Sequence, residues 1–252
     1  MKTLTIITLV CFVLIGTTAI AGLKDGLIVR FPLDDGSGTT VKDHSENGYD
    51  GTIIDDNKVE WTGGKFLGAL NFSGQGFGDK DKGERTGRIE VQHDLGDHKA
   101  LSFSLWFFAT RDDDWNYLGD FRPTGSWFAR DSGNTIKLNG QGGVPGDQYP
   151  RDEWVHLVVL ADDSSTTYYI NGEQAGDVGG AAALNLSTNL HIGSRFSDNE
   201  SFLSIMDDWA IWDRIISEDE IAQLNKDSVI PGTAVDTAGK LSTTWAGIKS
   251  AR

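Results

Sequence analysis

The chain has 252 residues, a formal net charge of −15 and a single cysteine, Cys11. So large an excess of carboxylates argues against nucleic-acid binding and against anionic membrane surfaces, and suits neutral glycans, cations or basic partners. With 31 glycines, 5 prolines and 8 tryptophans, the many short aromatic and β-branched runs broken by glycine turns predict an all-β protein.

Residues 1–21 carry Lys2, an apolar run from Leu4 to Ile15 and the small-x-small site Ala19-Ile20-Ala21. This is the pattern of a secretory signal peptide cut after Ala21. The run falls short of the roughly 20 residues that span a bilayer, so no membrane insertion is expected after cleavage. Taking 21 residues from 252 leaves 231 and removes Lys2 and Cys11, so the mature chain has a charge near −16 and no disulfide. It is long enough for one sandwich-type domain held by core burial.

The first strand is expected at 26–33, followed by a turn at 34–38 and short strands at 51–54 and 69–74. In 87–92, Ile89 and Val91 alternate with polar neighbours. The segment 101–110 is the clearest strand: Leu101, Phe103, Leu105 and Phe107 share one face, while Trp106 and Phe108 load the other. Strands follow at 126–130, 135–140 and 153–162. Residues 166–177 form a hairpin whose turn is Asn171-Gly172, a dipeptide that tolerates positive φ. Further strands are expected at 189–194 and 204–214. In the last of these, strict alternation places Asp207 on the face of Trp209 and Asp208 on the face of Trp212. Residues 217–224 are the one convincing helix, with Ser217 and Glu220 spaced as a capping box. The domain therefore runs from 22 to 230. The basic tail 231–252, with Lys240, Lys249 and Arg252, puts Leu241, Trp245 and Ile248 at helical spacing.

Between the first strands lies "KDHSENGYDG", residues 42–51. Asp43-x-Ser45-x-Asn47-Gly48 copies the first half of an EF-hand loop, but position 12 counted from Asp43 is Ile54 and no flanking helices are expected. Two readings stay open: half of a calcium site completed from elsewhere, or Asx-turns alone. Asp207 and Asp208, adjacent acids in an otherwise apolar strand, require pairing, hydrogen bonds or a metal.

Four stretches, "LIVRFPLDDGSGTTVKDHSENGYDGTI", "SFSLWFFAT", "EWVHLVVLADDSSTTYYINGEQ" and "SIMDDWAIWDRIISEDEIAQL", resemble in this order the LamG-like jelly-roll domains of the concanavalin A-like lectin/glucanase superfamily. The resemblance covers about residues 26–225. It implies a jelly roll of two antiparallel sheets with one short helix after the last main strand. It also implies a structural calcium, carried over to Asp43, Asn47 and Asp208.

For a ligand, residues 110–121 set Asp112, Asp113 and Asp114 beside Trp115 and Tyr117, with Trp127 and Tyr149 in nearby loops. Aromatic faces stack on sugar rings while carboxylates accept from hydroxyls. Trp115, Asp113, Asp114, Tyr117 and Trp127 are therefore the candidate ligand residues. The five histidines form no paired motif, and sequons occur at Asn71, Asn185 and Asn199. No strand carries Glu-x-Asp-x-x-Glu and no Gly-x-Ser-x-Gly elbow is present, so an enzyme is not expected. The expected function is a secreted, non-catalytic carbohydrate-binding module. A protein-adhesion or surface-layer domain is the alternative, with a glycoside hydrolase behind both.

Overall fold

A computed structural model describes residues 22–54, 59–72, 87–108, 116–121, 127–130, 135–139, 141–145, 148–179, 184–187, 189–195 and 204–228. The predicted signal peptide, the tail from 231, the sequon at Asn199 and Asp112 to Trp115 lie outside them. Two antiparallel sheets face each other. The first is centred on β7 (Ala100–Phe108), β12 (Trp154–Asp162) and β16 (Ile205–Trp212). Beyond β12 come β13 (Ser165–Ile170) and β14 (Glu173–Gly179). On the far flank of β16 lie β5 (Gly68–Asn71) and β4 (Glu60–Gly63), and also β1 (Leu27–Phe31), which takes the C-terminal half of β16.

The second sheet runs β11 (Gln141–Val144), β10 (Ile136–Leu138), β9 (Trp127–Arg130), β8 (Asn116–Asp120), β15 (Leu190–Ile192), β6 (Arg88–Val91), β3 (Gly51–Ile54) and β2 (Thr40–Val41). This is the two-sheet jelly-roll sandwich that the resemblance implies.

Period-two alternation builds the core. Leu101, Phe103, Leu105 and Phe107 of β7 and Val155, Leu157 and Val159 of β12 face Ile89, Val91, Leu118, Ile136, Leu138, Leu190 and Ile192 of the second sheet. Each fully buried side chain of this size contributes about 1.5–3 kcal/mol, which makes a disulfide unnecessary. The outward side of the first sheet is also covered. Val158, Leu160, Tyr169, Ala210 and Trp212 pack under Leu23, Leu27 and the helix α1 (Glu218–Leu224) through Ile221 and Leu224. The Asn171-Gly172 turn has φ of 52° and 86°, the positive pair that a two-residue hairpin uses.

Strict alternation fails in β16. Asp207 pairs with Trp106 but Ala210 pairs with Ser104, so one extra residue is inserted. Asp208, with φ of 46°, is the bulged position. The bulge turns Trp209 into the inter-sheet core, while Asp207 stays on the outward side that carries Ala210 and Trp212. The expected sharing of a face by Asp207 with Trp209 is thereby corrected.

Candidate functional site

The outward face of the second sheet carries a row of polar and aromatic side chains. Glu90 lies between core residues Ile89 and Val91, and His191 between Leu190 and Ile192, so both point away from the core. Register joins them into one line: Thr52 pairs with Glu90, Glu90 with His191, His191 with Asp120, and Asp120 with Trp127. Side chains of directly paired residues share a face and stand about 4.5–5.5 Å apart at Cβ, so five strands present one continuous row.

Two expected ligand residues belong to it. The Tyr117 and Trp127 rings lie 5.7 Å apart at 50°. Trp127 is fixed through its backbone: its N–H donates to Asn139 Oδ1 at 2.9 Å and its carbonyl accepts from the Asn139 N–H at 2.8 Å. Asn139 reaches both because it turns at φ 51°. Tyr117 and Asp120 are buried, and Trp127 and Glu90 are half-buried. Glu90 accepts from Gln92 Nε2 at 3.3 Å and Arg88 Nη2 at 3.4 Å, with His191 Nε2 3.9 Å away. Asp120 thus pairs beside Trp127, with His191 and then Glu90 one and two strands further along the row, a line of polar groups ending in two aromatic rings that suits a hydroxyl-rich ligand with apolar faces.

Sequence reasoning missed Glu90, Asp120 and His191. The available signal was a charged or polar residue between two apolar ones in "IEV" and "LHI"; their meeting depends on cross-strand register. Asp113, Asp114 and Trp115 lie outside the described residues. Tyr149 does not join the face: it is a core residue packed edge-on against Phe107 at 5.9 Å.

The residues expected to share calcium are engaged by protein donors. Asp43 Oδ1 accepts from the N–H groups of Arg30 at 3.0 Å and Ser45 at 2.9 Å. Its Oδ2 accepts from the Ser45 hydroxyl at 2.7 Å and the Tyr49 N–H at 2.9 Å. Asn47 Nδ2 donates to the carbonyls of Leu27 at 3.0 Å and Ile28 at 2.8 Å. The His44 N–H donates to the Arg30 carbonyl at 2.8 Å. Residues 43–47 therefore satisfy the edge of β1 that β16 leaves open. Asp208 Oδ1 accepts from Arg30 Nε at 3.1 Å and Nη2 at 2.9 Å.

Calcium needs six to eight oxygens turned toward one point. Asp43 has two donors on each oxygen, and Asp208 faces a guanidinium, so Asp43, Asn47 and Asp208 do not fit a shared calcium. Among the described residues, no group of three His, Cys, Asp or Glu side chains is placed to hold a metal ion.

Comparisons place this geometry among known folds. The solved structures it resembles include domain 4 of AbnA, a GH43 extracellular arabinanase from Geobacillus stearothermophilus, in complex with arabinotriose. That match has 18% identity and a TM-score of 0.60, covering 79% of this chain and 98% of the other. The binding domain of botulinum neurotoxin DC in complex with SialylT matches at 13% identity and TM-score 0.59, covering 82% of this chain and 52% of the other. The binding domain of Paraclostridial Mosquitocidal Protein 1 matches at 14% and 0.56, covering 80% and 52%. The chain spans about half the length of the two toxin domains, and at these identities the likeness is one of fold. A search of curated proteins finds no match. A family model described as the concanavalin A-like lectin/glucanases superfamily matches residues 82–222, more than half of the 252 residues. The chain belongs to the concanavalin A-like lectin/glucanases superfamily.

Proposed function

We propose that the chain is an exported, non-catalytic carbohydrate-binding module whose binding face is the outward side of the second sheet. The observation that carries this reading is the row Glu90–His191–Asp120–Trp127 with Tyr117 against Trp127. The half-buried Glu90 carboxylate meets sugar hydroxyls and the half-buried Trp127 ring takes the apolar side of a pyranose or furanose, while the buried Tyr117, Asp120 and His191 support them from beneath. The net charge of −15 disfavours polyanionic glycans, so the ligand class is a neutral polysaccharide. The arabinotriose bound by domain 4 of AbnA supports that class.

A holding role suits the carboxylates better than acid–base chemistry. Asp120 is fully buried, and Glu90 is engaged by Arg88 and Gln92, whereas a hydrolase needs two carboxyls presented to the scissile bond. Export is proposed from the pattern of residues 1–21; no helix among the described residues is long and apolar enough to cross a membrane.

The test is affinity electrophoresis of the mature chain through gels containing neutral polysaccharides, arabinan among them, with a sialylated oligosaccharide as competitor. Retardation by a neutral polysaccharide that Trp127→Ala weakens at least tenfold, about 1.4 kcal/mol, is the expected result. Retention by none of them, with capture of an extracellular protein instead, would overturn the reading in favour of adhesion.

A further inference from the structure

We propose that Arg30 supplies, from within the chain, the cation that the jelly-roll resemblance assigns to calcium, so that this domain closes its chain ends without metal. Four segments meet at Arg30. Its N–H and carbonyl hold the loop through Asp43 and His44, and its guanidinium holds the bulge of β16 through Asp208. Its Nη2 also donates to the Ser228 carbonyl, beyond the end of α1. A bound calcium would make the same connections among first strand, loop and last strand.

The local charge calls for a cation. Asp34 and Asp227 both act on Asp208 as like charges, and the side chains of Arg30 and Asp208 are only 4% and 5% exposed. A buried carboxylate is retained when it is paired and hydrogen-bonded. The bulge explains how the pair forms: positive φ at Asp208 swings its side chain out of the alternation and toward Arg30, whose own pairing partner in β16 is Ala210. A guanidinium offers five fixed donors, and here they reach a carboxylate and a carbonyl at once.

This inference is independent of the glycan reading, and its test measures folding alone. The full mature chain, stripped of metal with a chelator, is unfolded thermally in EGTA and in millimolar calcium. The expected result is the same midpoint in both. Arg30→Met lowers the midpoint, and the double variant Arg30→Met/Asp208→Leu regains most of the loss, because an unpaired buried carboxylate costs more than a removed pair. A calcium-dependent rise in the wild type that Asp43→Ala or Asn47→Ala abolishes would overturn the proposal. So would an Arg30→Met midpoint equal to the wild type. If Arg30→Met does not fold, the wild-type calcium comparison and the double variant still decide.

Discussion

Asp207 is 1% exposed on the outward side of the first sheet, where its Oδ2 accepts from the Phe66 N–H at 3.1 Å. Burial pushes its carboxyl up to about 7; the Phe66 N–H pulls the other way, and the charges of Asp208 and Asp34 add to the rise. Because the folded value lies above the unfolded one, the native state holds this proton more tightly. Its stabilising contribution is complete below about pH 4 and is lost as the pH rises through 7. His156, stacked on Trp106 at 4.9 Å and 18°, is the opposite case. Burial lowers it to about 3, so its contribution is present above pH 6.5 and lost as the pH falls toward 3.

Between about pH 4 and 6.5 the two slopes oppose each other. Asp207→Asn removes one of them: we predict that this variant gains at least about 1 kcal/mol more, relative to wild type, at pH 8 than at pH 4.5. Urea unfolding at the two pH values reads this directly, and an equal effect at both contradicts it. The strangeness of two acids in an apolar strand was legible in the sequence. The face that Asp207 takes was not, because period-two counting cannot register the residue inserted at Asp208.

At the scale of the element, α1 shows local chemistry that one sequence can carry. The Ser217 hydroxyl accepts from the Glu220 N–H at 3.3 Å, and the Glu220 carboxylate accepts from the Ser217 N–H at 2.8 Å, completing the predicted capping box. Glu220 also accepts from Arg214 at 2.6 and 2.9 Å, a second use that spacing alone does not reveal. Ser217→Ala is therefore predicted to cost about 1 kcal/mol. Glu220→Ala should cost more, because the cap and the partner of Arg214 go together; equal losses in chemical denaturation would show that the Arg214 contact contributes nothing. The loop at 42–51 illustrates the complementary case. Its Asx-type turns were legible from Asp43, Ser45 and Asn47, but its partners, the backbone groups of Leu27, Ile28 and Arg30, lie 13 to 20 residues earlier in the chain. The edge that the loop closes exists only once β1 has paired with β16.

For the whole molecule, the two-sheet architecture was readable because alternating strands, glycine turns and a capped helix agree with one another. The proposed binding face was only half readable. Tyr117 and Trp127 stood out as aromatics, whereas Glu90, His191 and Asp120 come from three strands separated by long stretches of chain and are joined by register. Close backbone approach adds a whole-fold constraint at the β4–β5 turn. A Cβ on Gly64 would meet the Gly68 carbonyl oxygen at 2.1 Å and Asp207 Oδ2 at 2.6 Å. Gly64→Ala is accordingly predicted to lower the thermal midpoint while leaving glycan retention intact, since the turn belongs to the first sheet and the row to the second.

An NMR titration of residues 22–252 with a neutral oligosaccharide, cut from the polysaccharide that retards the protein, locates the ligand on the proposed face. Shifts are expected to concentrate at Glu90, Tyr117, Asp120, Trp127 and His191 and to be lost in Trp127→Ala. Shifts confined to the outward face of the first sheet, around Trp106 and α1, would contradict it.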